Sequence, residues 1–515
     1  MATNNLYKIL RQNFSNNMDA TFLSVPGGDS ITYGEMDELS AKLASALRQL
    51  DVMPGDRICV QVEKSPYNIL LYLACLRINA VYIPFNVAYT LSELDYFLRD
   101  SQPKLVVCQA KTESAIRPLI DRHKISRLST LDANGSGTLT QLAKGSMVAD
   151  DILDCEPDDL AAIMYTSGTT GQPKGAMLSH ANLSSNGLIL KELWNFQAHD
   201  TLLHALPIYH VHGLFVALHC AILSGSKVWL LPYFDQNAVI DLIPKSTVLM
   251  GVPTFYVRLL NDRRLNKNLC SNMRLFTSGS APLPAEIFQR FESITSHRIL
   301  ERYGMTEAGM ISSNPYDCLD EVRIVGTVGF ALPGVELRLR NDQGKKIDNN
   351  EAGLLEIKGQ NVFKGYWSDS EKTSNSFHED GFFITGDIAR IDPKGRLSIL
   401  GRATDLIISG GLNVYPKEVE TQIDKFSGVD ESAVIGVPHP DFGEGVVAII
   451  VHRKSISINK KELQLFLAQR LAKFKRPKKI FFVQLLPRNA MGKIKKDVLR
   501  QEYAKCFIKN MQEKS

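Results

Sequence analysis

A segment rich in glycine, hydroxyl side chains and one lysine is the part of the sequence that points most directly to chemistry. It occupies residues 165–175, reads YTSGTTGQPKG, and follows an apolar run at residues 160–164 that predicts a buried strand. Glycine lets a backbone approach a polyphosphate closely, hydroxyl and amide groups donate to its oxygens, and lysine adds positive charge. The spacing is not that of a Walker A loop, because Pro173 precedes Lys174 and Gly175 follows it. The segment therefore predicts a nucleotide-dependent enzyme outside the P-loop class.

Further clusters along the chain combine glycine with polar or charged residues. They are SGSAPL at 278–283, YGMTE at 303–307, TGD at 385–387, GRATD at 401–405 and RNAMGK at 488–493. Each also has an ordinary structural interpretation. In chain order these are a strand-to-helix turn, a helix start capped by Thr306, a run of turns in which Asp is common, an exposed linker and a solvated turn. The order and spacing of all the clusters together favour function over these local interpretations.

The elements that must position these clusters alternate between helix and strand in the first half of the chain. Predicted helices occupy residues 34–50, 66–76 and 179–190, and predicted strands occupy residues 57–62, 105–108, 228–231, 247–250, 274–276 and 298–300. In the first helix, Met36, Leu39, Leu43 and Leu47 share one face at helical spacing. Such alternation predicts a parallel sheet covered by helices, which is an α/β fold.

The pattern changes twice towards the C-terminus. After about residue 325 the turn signals become dense and short alternating segments such as 335–339 and 354–357 predict an antiparallel β region. From about residue 405 the chain predicts a small α+β domain, with strands at 432–437, 446–451 and 480–483 and a helix at 461–474. We therefore predict a large N-terminal domain over residues 1–402, with a β-rich subdomain over about 325–402, and a small C-terminal domain over residues 403–515.

Bulk composition excludes several classes of protein. A chain of 515 residues needs two or more cores, and its net charge of +4 does not indicate a nucleic-acid partner. None of the eight cysteines forms a CxxC pair, so neither a disulfide framework nor a zinc site is expected. The N-terminus does not resemble a signal peptide, the C-terminal QEKS is not a targeting tail, and no apolar run reaches the roughly 18 residues of a membrane span. We expect no membrane partner and a cytoplasmic location.

The ordered clusters resemble the core motifs of the adenylate-forming superfamily, which includes acyl-CoA synthetases, firefly luciferase and the adenylation domains of peptide synthetases. The resemblance covers essentially the whole chain. Four segments are most similar to malonyl-CoA synthetases: HALPIYHVHGL at 204–214, GVPTFY at 251–256, LERYGMTE at 300–307 and FFITGD at 382–387. The resemblance implies two half-reactions. A carboxylate attacks the α-phosphate of ATP to give an acyl-adenylate and pyrophosphate, and the thiol of coenzyme A then releases AMP.

The resemblance also implies an ATP site. Its predicted members are Thr166, Ser167, Gly168, Thr169, Thr170 and Lys174 in the phosphate loop, Ser280, Ala281 and Tyr303 at the adenine, Thr306 at a phosphate, Asp387 at the ribose, Arg402 at the ribose or a phosphate, and Glu301. Glu307 would hold Mg²⁺, which accepts one carboxylate together with phosphate oxygens and waters.

Lys493 resembles the lysine that bridges the carboxylate and the α-phosphate during adenylation. A compact ammonium suits the charge that develops between two anions, although a surface lysine in a basic tail is the structural alternative. The small domain would then move between the half-reactions about a hinge at Thr404, a position where the family usually has Asp or Lys. Ser409, Gly410 and Gly411 would form the loop that enters the site for thioester formation.

The identity of the acid depends on Arg302, which directly precedes Tyr303 at the mouth of the predicted acyl site. A buried arginine is costly unless it is paired, and a second carboxylate on the substrate would pair with it. The resemblance implies the same role, and a salt bridge with Glu301 is the structural alternative. Arg258 is a second candidate for the substrate carboxylate, with a solvated helix face as its alternative. His210 is expected to gate the acyl pocket or donate to a carboxylate oxygen.

These residues predict ATP-dependent ligation of malonate to coenzyme A, with methylmalonate as a second candidate acid. A fatty or aryl acid CoA ligase is the enzymatic alternative. A catalytically silent nucleotide-binding scaffold is the alternative from another class, and intact Lys493, Glu307 and Asp387 argue against it. The histidines at 204, 210 and 212 lack the carboxylate or cysteine partners expected of a zinc site.

Overall fold

The computed structural model describes residues 4–14, 16–146, 151–166, 173–318, 321–341, 343–347, 350–410, 412–453, 458–489 and 492–507. The chain separates into two compact units. The first comprises Met1–Glu336 and Ile357–Phe383, and the second comprises Leu337–Glu356 and Ile384–Ser515. The predicted domain boundary at residue 402 lies within the second unit and stays a prediction.

The strands of the described residues, numbered in chain order, are β1 (Thr21–Ser24), β2 (Ser30–Thr32), β3 (Arg57–Gln61), β4 (Val81–Pro84), β5 (Leu105–Cys108), β6 (Arg127–Thr130), β7 (Leu160–Thr166), β8 (Lys174–Ser179), β9 (Thr201–His204), β10 (Lys227–Leu230), β11 (Val248–Gly251), β12 (Leu275–Ser278), β13 (Leu300–Met305), β14 (Gly309–Ser313), β15 (Phe330–Ala331), β16 (Glu336–Arg340), β17 (Ala352–Lys358), β18 (Phe383–Ile391), β19 (Leu397–Arg402), β20 (Ile407–Ser409), β21 (Leu412–Val414), β22 (Val429–His439), β23 (Gly443–His452) and β24 (Lys479–Val483).

The α-helices are α1 (Leu6–Phe14), α2 (Tyr33–Gln49), α3 (Pro66–Arg77), α4 (Leu91–Ser101), α5 (Glu113–Arg122), α6 (Thr138–Lys144), α7 (His180–Leu193), α8 (Leu218–Ser224), α9 (Gln236–Leu242), α10 (Pro253–Leu260), α11 (Ala285–Thr295), α12 (Ser370–Ser376), α13 (Pro416–Ile423), α14 (Lys460–Ala468) and α15 (Lys496–Tyr503). Short 3₁₀ turns lie at Ala110–Thr112, Ile243–Lys245, Ala403–Asp405 and Lys473–Lys475, and a π-helical segment lies at His212–Ala217. Within the described residues, no helix is long and apolar enough to cross a membrane.

Local signals explain where the early helices begin. Thr32 and Glu35 form a reciprocal capping box at the start of α2, and the Ser65 side chain accepts from the backbone of Asn68 at the start of α3. Pro66 occupies the first turn of α3, where its missing N–H costs nothing. The predicted helices at 34–50 and 66–76 are therefore confirmed.

A six-stranded sheet in the first unit has the order β6-β5-β3-β4-β7-β8 and is parallel except for the antiparallel pair β7 and β8. Its strand residues Cys59, Ile83 and Val106 pack in one core with Phe97 of α4 and Leu119 of α5. Apolar runs on these strands are expected, because helices cover a parallel sheet on its faces.

A nine-stranded sheet in the same unit has the order β15-β14-β13-β12-β11-β9-β10-β1-β2. Its central strands are parallel, whereas β2 and the β14–β15 end are antiparallel additions. β13 pairs with β12 only through Leu300 and Glu301, and from Arg302 onwards it pairs with β14. The residues after Glu301 therefore extend beyond the carboxyl end of β12. The predicted α/β fold with helix-covered sheets is confirmed.

The second unit contains most of a four-stranded sheet, β16-β17-β18-β19, and a five-stranded sheet in which β24 joins β23 of the path β21-β20-β23-β22. Successive apolar side chains of β22 and β23 point to opposite faces of the sheet, so these strands contribute to two cores. Val434 and Ile450 pack on one face with Leu463 of α14, and Ile435 packs on the other with Leu499 of α15. The predicted α+β character of this region is confirmed.

Two predicted elements differ from the structure. The strand predicted at 298–300 runs from Leu300 to Met305 and enters a hairpin with β14, so the alternative of a helix start at Thr306 is wrong. A Cβ at Gly304 would lie 2.1 Å from the Gly309 oxygen, and only glycine allows the hairpin strands to approach this closely. The helix predicted at 461–474 ends at Ala468, because the Arg476 guanidinium donates to the carbonyls of Ala468 and Leu471 and closes the helix end.

Candidate active site

The ends of β7 and β8 carry the glycine-rich segment of the first unit. Thr166 pairs with Lys174 and Tyr165 pairs with Gly175 in antiparallel register, and the Thr166 hydroxyl lies 3.4 Å from the Lys174 carbonyl. A Cβ at Gly175 would come within 2.6 Å of the Ile163 side chain, so this strand pairing requires glycine. The predicted phosphate-binding residues between the two strands, Ser167, Gly168, Thr169 and Thr170, lie outside the described residues.

The β13–β14 hairpin holds three of the predicted ATP-site residues. Tyr303 lies half-buried on β13, and Thr306 lies in the turn that follows. The Glu307 side chain is 8% exposed, and its Oε1 accepts a hydrogen bond of 3.0 Å from the Tyr366 hydroxyl. A single carboxylate fits Mg²⁺ that draws its other ligands from phosphate and water. Among the described residues, no group of three or more His, Cys, Asp or Glu side chains is arranged to hold a metal.

The turn after β12 shows that the backbone is shaped around Arg302. A Cβ at Gly279 would lie 2.1 Å from Nη1 of Arg302, so glycine leaves the space that the guanidinium occupies. Ser280 has φ of +66°, a left-handed conformation that non-glycine residues adopt mainly at sites with special constraints. The half-buried Ala281 continues this turn. The predicted adenine-site residues Ser280 and Ala281 thus lie on a constrained turn, beside the candidate arginine.

Arg302 is a buried arginine to which the described residues offer no carboxylate partner. Arg302 is 3% exposed, its Nη2 donates to Nε2 of His212, and its Nε has no hydrogen-bond acceptor among the described residues. No acidic side chain in the described part of the chain forms an ion pair with it, and burial lowers the pKa of Arg302 to about 9.

The predicted alternative, a salt bridge between Arg302 and Glu301, is not formed. Neighbouring residues on a strand direct their side chains to opposite faces. Oε1 of Glu301 instead lies 3.3 Å from the backbone nitrogen of Gly326, which donates to it. Glu301 was predicted as an ATP-site residue, and that role stays a prediction.

His212 is the residue of this site that sequence reasoning missed, because we considered it only as a zinc ligand. Its Nε2 accepts from Arg302, so the ring is neutral, carries its proton on Nδ1 and presents that proton to the Ser280 hydroxyl at 3.3 Å. Burial and the Arg302 charge hold the pKa of His212 well below its usual range. The signal available in the sequence was its position two residues after His210.

His210 lies next to the pair of Arg302 and His212. Its Nδ1 accepts a hydrogen bond of 3.3 Å from the His212 backbone. Burial, with a further contribution from the Arg302 charge, lowers the pKa of His210 to about 4. The imidazole is therefore neutral at neutral pH and can donate one hydrogen bond from Nε2, which is compatible with its predicted contact to a carboxylate oxygen.

Arg258 occupies a different environment. It lies on α10 as predicted, but it is exposed, and its guanidinium lies 5.7 Å from the centre of the Phe234 ring. Tyr256, two residues earlier, is the member of α10 that interacts electrostatically with Arg302, and its hydroxyl donates to the Thr277 carbonyl at 2.6 Å. This placement fits the alternative of a solvated helix face better than a role beside Arg302.

In the second unit, Asp387 and Arg402 face each other across β18 and β19. They are register partners, Arg402 Nε lies 3.0 Å from Asp387 Oδ1, and Arg402 Nη1 donates to the Thr385 carbonyl at 3.0 Å. The interpretation of residues 385–387 as a run of turns is wrong, because they lie within β18. Gly386, directly before Asp387, has φ of +73°, a conformation that glycine adopts without strain.

Lys493 lies on a closed turn of the same unit. Its backbone nitrogen donates to the Asn489 side chain and its carbonyl accepts from the Asn489 nitrogen, each at 2.9 Å. The side chain is exposed, yet the surrounding protein desolvates it enough to lower its pKa, with Arg402 adding to that effect and Asp387 opposing it. Lys493, Asp387 and Arg402 are therefore within electrostatic reach of one another.

The predicted hinge and the predicted coenzyme A loop come directly after Arg402 in the chain. Thr404 is exposed in the 3₁₀ turn Ala403–Asp405, and the Ser409 hydroxyl is buried 3.2 Å from Nζ of Lys478. Gly410 has φ of +61° and donates its backbone N–H to the Phe442 carbonyl at 2.9 Å. Gly411 lies outside the described residues. The hinge and loop functions stay predictions.

Comparison with known proteins identifies two family models along the chain. The model for the AMP-binding enzyme matches residues 10–367, and the model for the AMP-binding enzyme C-terminal domain matches residues 418–493. A crystal structure of ATP-bound MatB from Rhodopseudomonas palustris is 48% identical, covers 98% of this chain and 100% of that one, and superposes with a TM-score of 0.95.

Two curated relatives differ in the acid that their names give. Malonate–CoA ligase of Arabidopsis thaliana is 32% identical over 545 residues, which cover 96% of this chain and 88% of the relative. Feruloyl-CoA synthase of Amycolatopsis sp is 33% identical over 491 residues, which cover 93% of this chain and 95% of the relative. Overall identity therefore does not choose between a dicarboxylate and an aryl acid.

Proposed function

Since this chain belongs to the AMP-binding enzyme family and is an acyl-CoA ligase of the adenylate-forming type, we propose that it ligates malonate to coenzyme A, with methylmalonate as a second acid. The observation that carries the proposal is the buried guanidinium of Arg302, which has no carboxylate partner in the described residues. The names of the malonate–CoA ligase relatives support the same acid.

A distal carboxylate on the substrate is the partner that the Arg302 environment lacks. Burying an unpaired charge costs several kcal/mol, and a charge-assisted hydrogen bond to a carboxylate offsets that cost. The Nε–H of Arg302, for which the described part of the chain provides no acceptor, is available to such a carboxylate, while Nη2 donates to His212. A monocarboxylic acid with an apolar tail would leave the guanidinium unpaired. Arg302 therefore favours a dicarboxylate over a fatty or aryl acid.

The remaining groups suit the adenylation half-reaction. We assign Thr166, Lys174 and Thr306 to the phosphates of ATP. Tyr303, Ser280 and Ala281 are assigned to its adenine, Asp387 to its ribose, and Arg402 to its ribose or a phosphate. A carboxylate oxygen of the acid attacks the α-phosphorus, a bond forms there, and the bond to the β-phosphate breaks to release pyrophosphate. Lys493 stabilises the charge that develops between the two anions. Mg²⁺ held by Glu307 would neutralise charge on the leaving pyrophosphate.

The second half-reaction uses coenzyme A as the other substrate. Its thiol sulfur attacks the acyl carbon of the adenylate, the thiol proton is lost, and AMP leaves with the electrons of the acyl–oxygen bond. Ser409 and Gly410 are the described residues that we assign to the approach of the pantetheine arm, because their small side chains leave room for it.

A fatty or aryl acid CoA ligase is the second candidate function, which the resemblance to feruloyl-CoA synthase supports. The two candidates make opposite predictions for Arg302. If the enzyme is a dicarboxylate ligase, removal of the guanidinium lowers its activity. If it is a ligase of apolar acids, removal raises its activity, because a desolvated charge disappears from the pocket.

Acid-dependent exchange between ATP and pyrophosphate tests the proposal. Wild type, Arg302→Ala and the exposed control Arg258→Ala are compared with malonate, methylmalonate, hexanoate and benzoate. We expect malonate to give the highest kcat/KM in the wild type, Arg302→Ala to lose roughly 100-fold with malonate, and Arg258→Ala to stay within about twofold. A wild type that uses hexanoate or benzoate more efficiently than malonate overturns the proposal.

A further inference from the structure

The lysine of the glycine-rich segment has a protein partner. Nζ of Lys174, on the first residue of β8, forms an ion pair with Oδ2 of Asp369. Both side chains are about one-third exposed, at 32% and 31%, so a ligand in solution can reach the pair. Asp369 also caps α12, because its Oδ1 accepts from the Lys372 backbone at 2.9 Å. One carboxylate thus links the Lys174 ammonium to a helix start.

The surroundings of Lys174 fix the position of this pair. The Tyr96 hydroxyl donates to the Pro173 carbonyl at 2.7 Å, directly before Lys174. The Tyr165 hydroxyl donates to Asp100 at 2.5 Å, and the Asp100 carboxylate interacts electrostatically with both Lys174 and Asp369. Lys174 also pairs with Thr166 and Gly175 pairs with Tyr165 in antiparallel register, so the backbone on both sides of Lys174 is held in place.

Asp369 is the carboxylate that hydrogen-bonds Lys174, whereas the nearby Asp100 accepts from the Tyr165 hydroxyl and affects Lys174 only through its charge. Arg99 on α4 and Lys372 on α12 carry the same charge as Lys174. The Lys174 hydrogen bond is the largest cause that lowers the pKa of Asp369, which keeps this carboxylate ionised at neutral pH.

We propose that Asp369 is a positioning residue that competes with nucleotide polyphosphate for Lys174. Asp369 holds the ammonium when no polyphosphate is bound, Lys174 transfers to the phosphate oxygens when ATP binds, and it returns to Asp369 as pyrophosphate leaves. No covalent bond changes in this exchange, because one charge-assisted hydrogen bond replaces another. The inference rests on the proposed assignment of Lys174 to the phosphates of ATP.

Competition from Asp369 should weaken the binding of polyphosphate to Lys174. A carboxylate within hydrogen-bond distance cancels much of the field of the ammonium, and ATP or pyrophosphate must displace it. Removing the Asp369 charge therefore strengthens the binding of polyphosphate. AMP has no β- or γ-phosphate, so its binding should not change. Pyrophosphate release should slow in proportion to its tighter binding.

Asp369→Asn is the informative variant. Asparagine caps helices as well as aspartate does, so α12 keeps its N-cap while the charge is lost. Asp158→Asn is the matched control, because Asp158 is an exposed carboxylate in the same unit that pairs with Lys364. Lys174→Met and the double variant Lys174→Met/Asp369→Asn complete the set. Dissociation constants for ATP, inorganic pyrophosphate and AMP are measured by calorimetry with Mg²⁺ and without any acid, so the result is independent of the acid specificity.

We expect Asp369→Asn to bind ATP and pyrophosphate about threefold more tightly, which is the range of an ion pair that is about one-third exposed. AMP affinity and the thermal unfolding midpoint should equal those of wild type, and Asp158→Asn should change none of these values. In the Lys174→Met background the Asp369 effect should disappear. Asp369→Glu, which restores the charge, should return the affinities towards wild type.

The outcomes that overturn the inference are distinct from failure of the proposed function. Unchanged or weaker polyphosphate binding in Asp369→Asn overturns the inference alone, provided that Lys174→Met weakens ATP binding. An equal gain in the Lys174→Met background also overturns it, because Asp369 would then act by general repulsion. Unchanged ATP binding in Lys174→Met overturns the assignment of Lys174 to ATP and the inference with it.

Discussion

Arg302 and Arg402 carry the same charge in opposite surroundings. In the first unit, Arg302 is buried with a neutral histidine as its hydrogen-bond acceptor and has no ion-pair partner in the described residues. In the second unit, Arg402 is about one-third exposed and pairs with Asp387 at 3.0 Å. The Arg402 charge is balanced within its unit, whereas no acidic side chain among the described residues balances the charge of Arg302. Under the proposed function, this difference separates the residues assigned to the common nucleotide chemistry from the residue assigned to the choice of acid.

The largest expected effect is on the rate of adenylation, in the variant Lys493→Ala. This variant tests the residues of the second unit that we assign to the nucleotide. Lys493→Ala should lower the rate of adenylation by roughly 1000-fold, because a charge aimed at the transition state is lost. The loss should be equal for every acid, since Lys493 lies in the unit of Asp387 and Arg402. Thioester formation from preformed acyl-adenylate should keep the wild-type rate.

Exchange between ATP and pyrophosphate, together with single-turnover thioester formation, measures the two half-reactions of the Lys493 variant separately. Lys495→Ala is the control, because Lys495 is an exposed lysine two residues away. Equal loss of both half-reactions in Lys493→Ala contradicts the assigned role.

Arg302→Met should reverse the preference between a dicarboxylic and an apolar acid and leave the fold intact. We expect kcat/KM for malonate to fall roughly 100-fold, while hexanoate improves, because an apolar side chain of similar length replaces a buried charge. Since no acidic side chain among the described residues pairs with this charge, the thermal unfolding midpoint should not fall. A large drop in the midpoint shows that Arg302 has a structural partner, and the contrast with Arg402 then fails.

His212→Leu should produce a smaller effect of the same kind. Loss of the acceptor on Nε2 frees the Arg302 guanidinium to rotate, and we expect KM for malonate to rise about tenfold with little change in KM for ATP. His212→Gln retains an acceptor oxygen and should recover part of the loss. Steady-state kinetics with each substrate varied in turn distinguishes this result from a general defect.

The sequence predicted the framework well because the relevant signals are local. The capping box at Thr32, Pro66 in the first turn of α3 and the apolar run of β5 each depend on neighbours in the chain. Residues 385–387 were misassigned to turns because aspartate and glycine are common there. Their place in β18 follows from pairing with β19, which is a longer-range interaction.

The site could be predicted only where a residue has its own chemical signature. Arg302 and Lys493 were predicted from their charge, their motifs and the resemblance to adenylate-forming enzymes, and their roles stay predictions. The role of His212 was missed because it exists only through its contacts with Arg302 and Ser280, residues about 90 and 68 positions away. For Arg258 the sequence suggested too much. Its charge and helical position predicted a role in the site, but its exposed side chain lies over the Phe234 ring.

The smallest expected effect concerns the stability of the Arg302 environment in acid. His210 has a pKa of about 4 in the folded protein, below the roughly 6.5 of an unfolded histidine. The unfolded state therefore binds a proton between these values while the folded state does not. The stability contributed by the neutral His210 is fully present above about pH 6.5 and is lost as the pH falls towards about 4. At pH 5 the loss should be on the order of 1 to 2 kcal/mol.

The free energy of unfolding by urea at pH 7 and pH 5 measures this loss. His210→Gln should lose less stability between the two pH values than wild type, whereas His452→Gln, at an exposed histidine, should behave like wild type. Arg302→Met should also lose less, because removal of the neighbouring positive charge raises the pKa of His210 towards its unfolded value. An Arg302→Met variant with an unchanged pH dependence would mean that burial alone sets this pKa. The Arg302 charge would then have little electrostatic effect on His210. Arg302 and Arg402 would differ less in their electrostatic surroundings than the geometry implies.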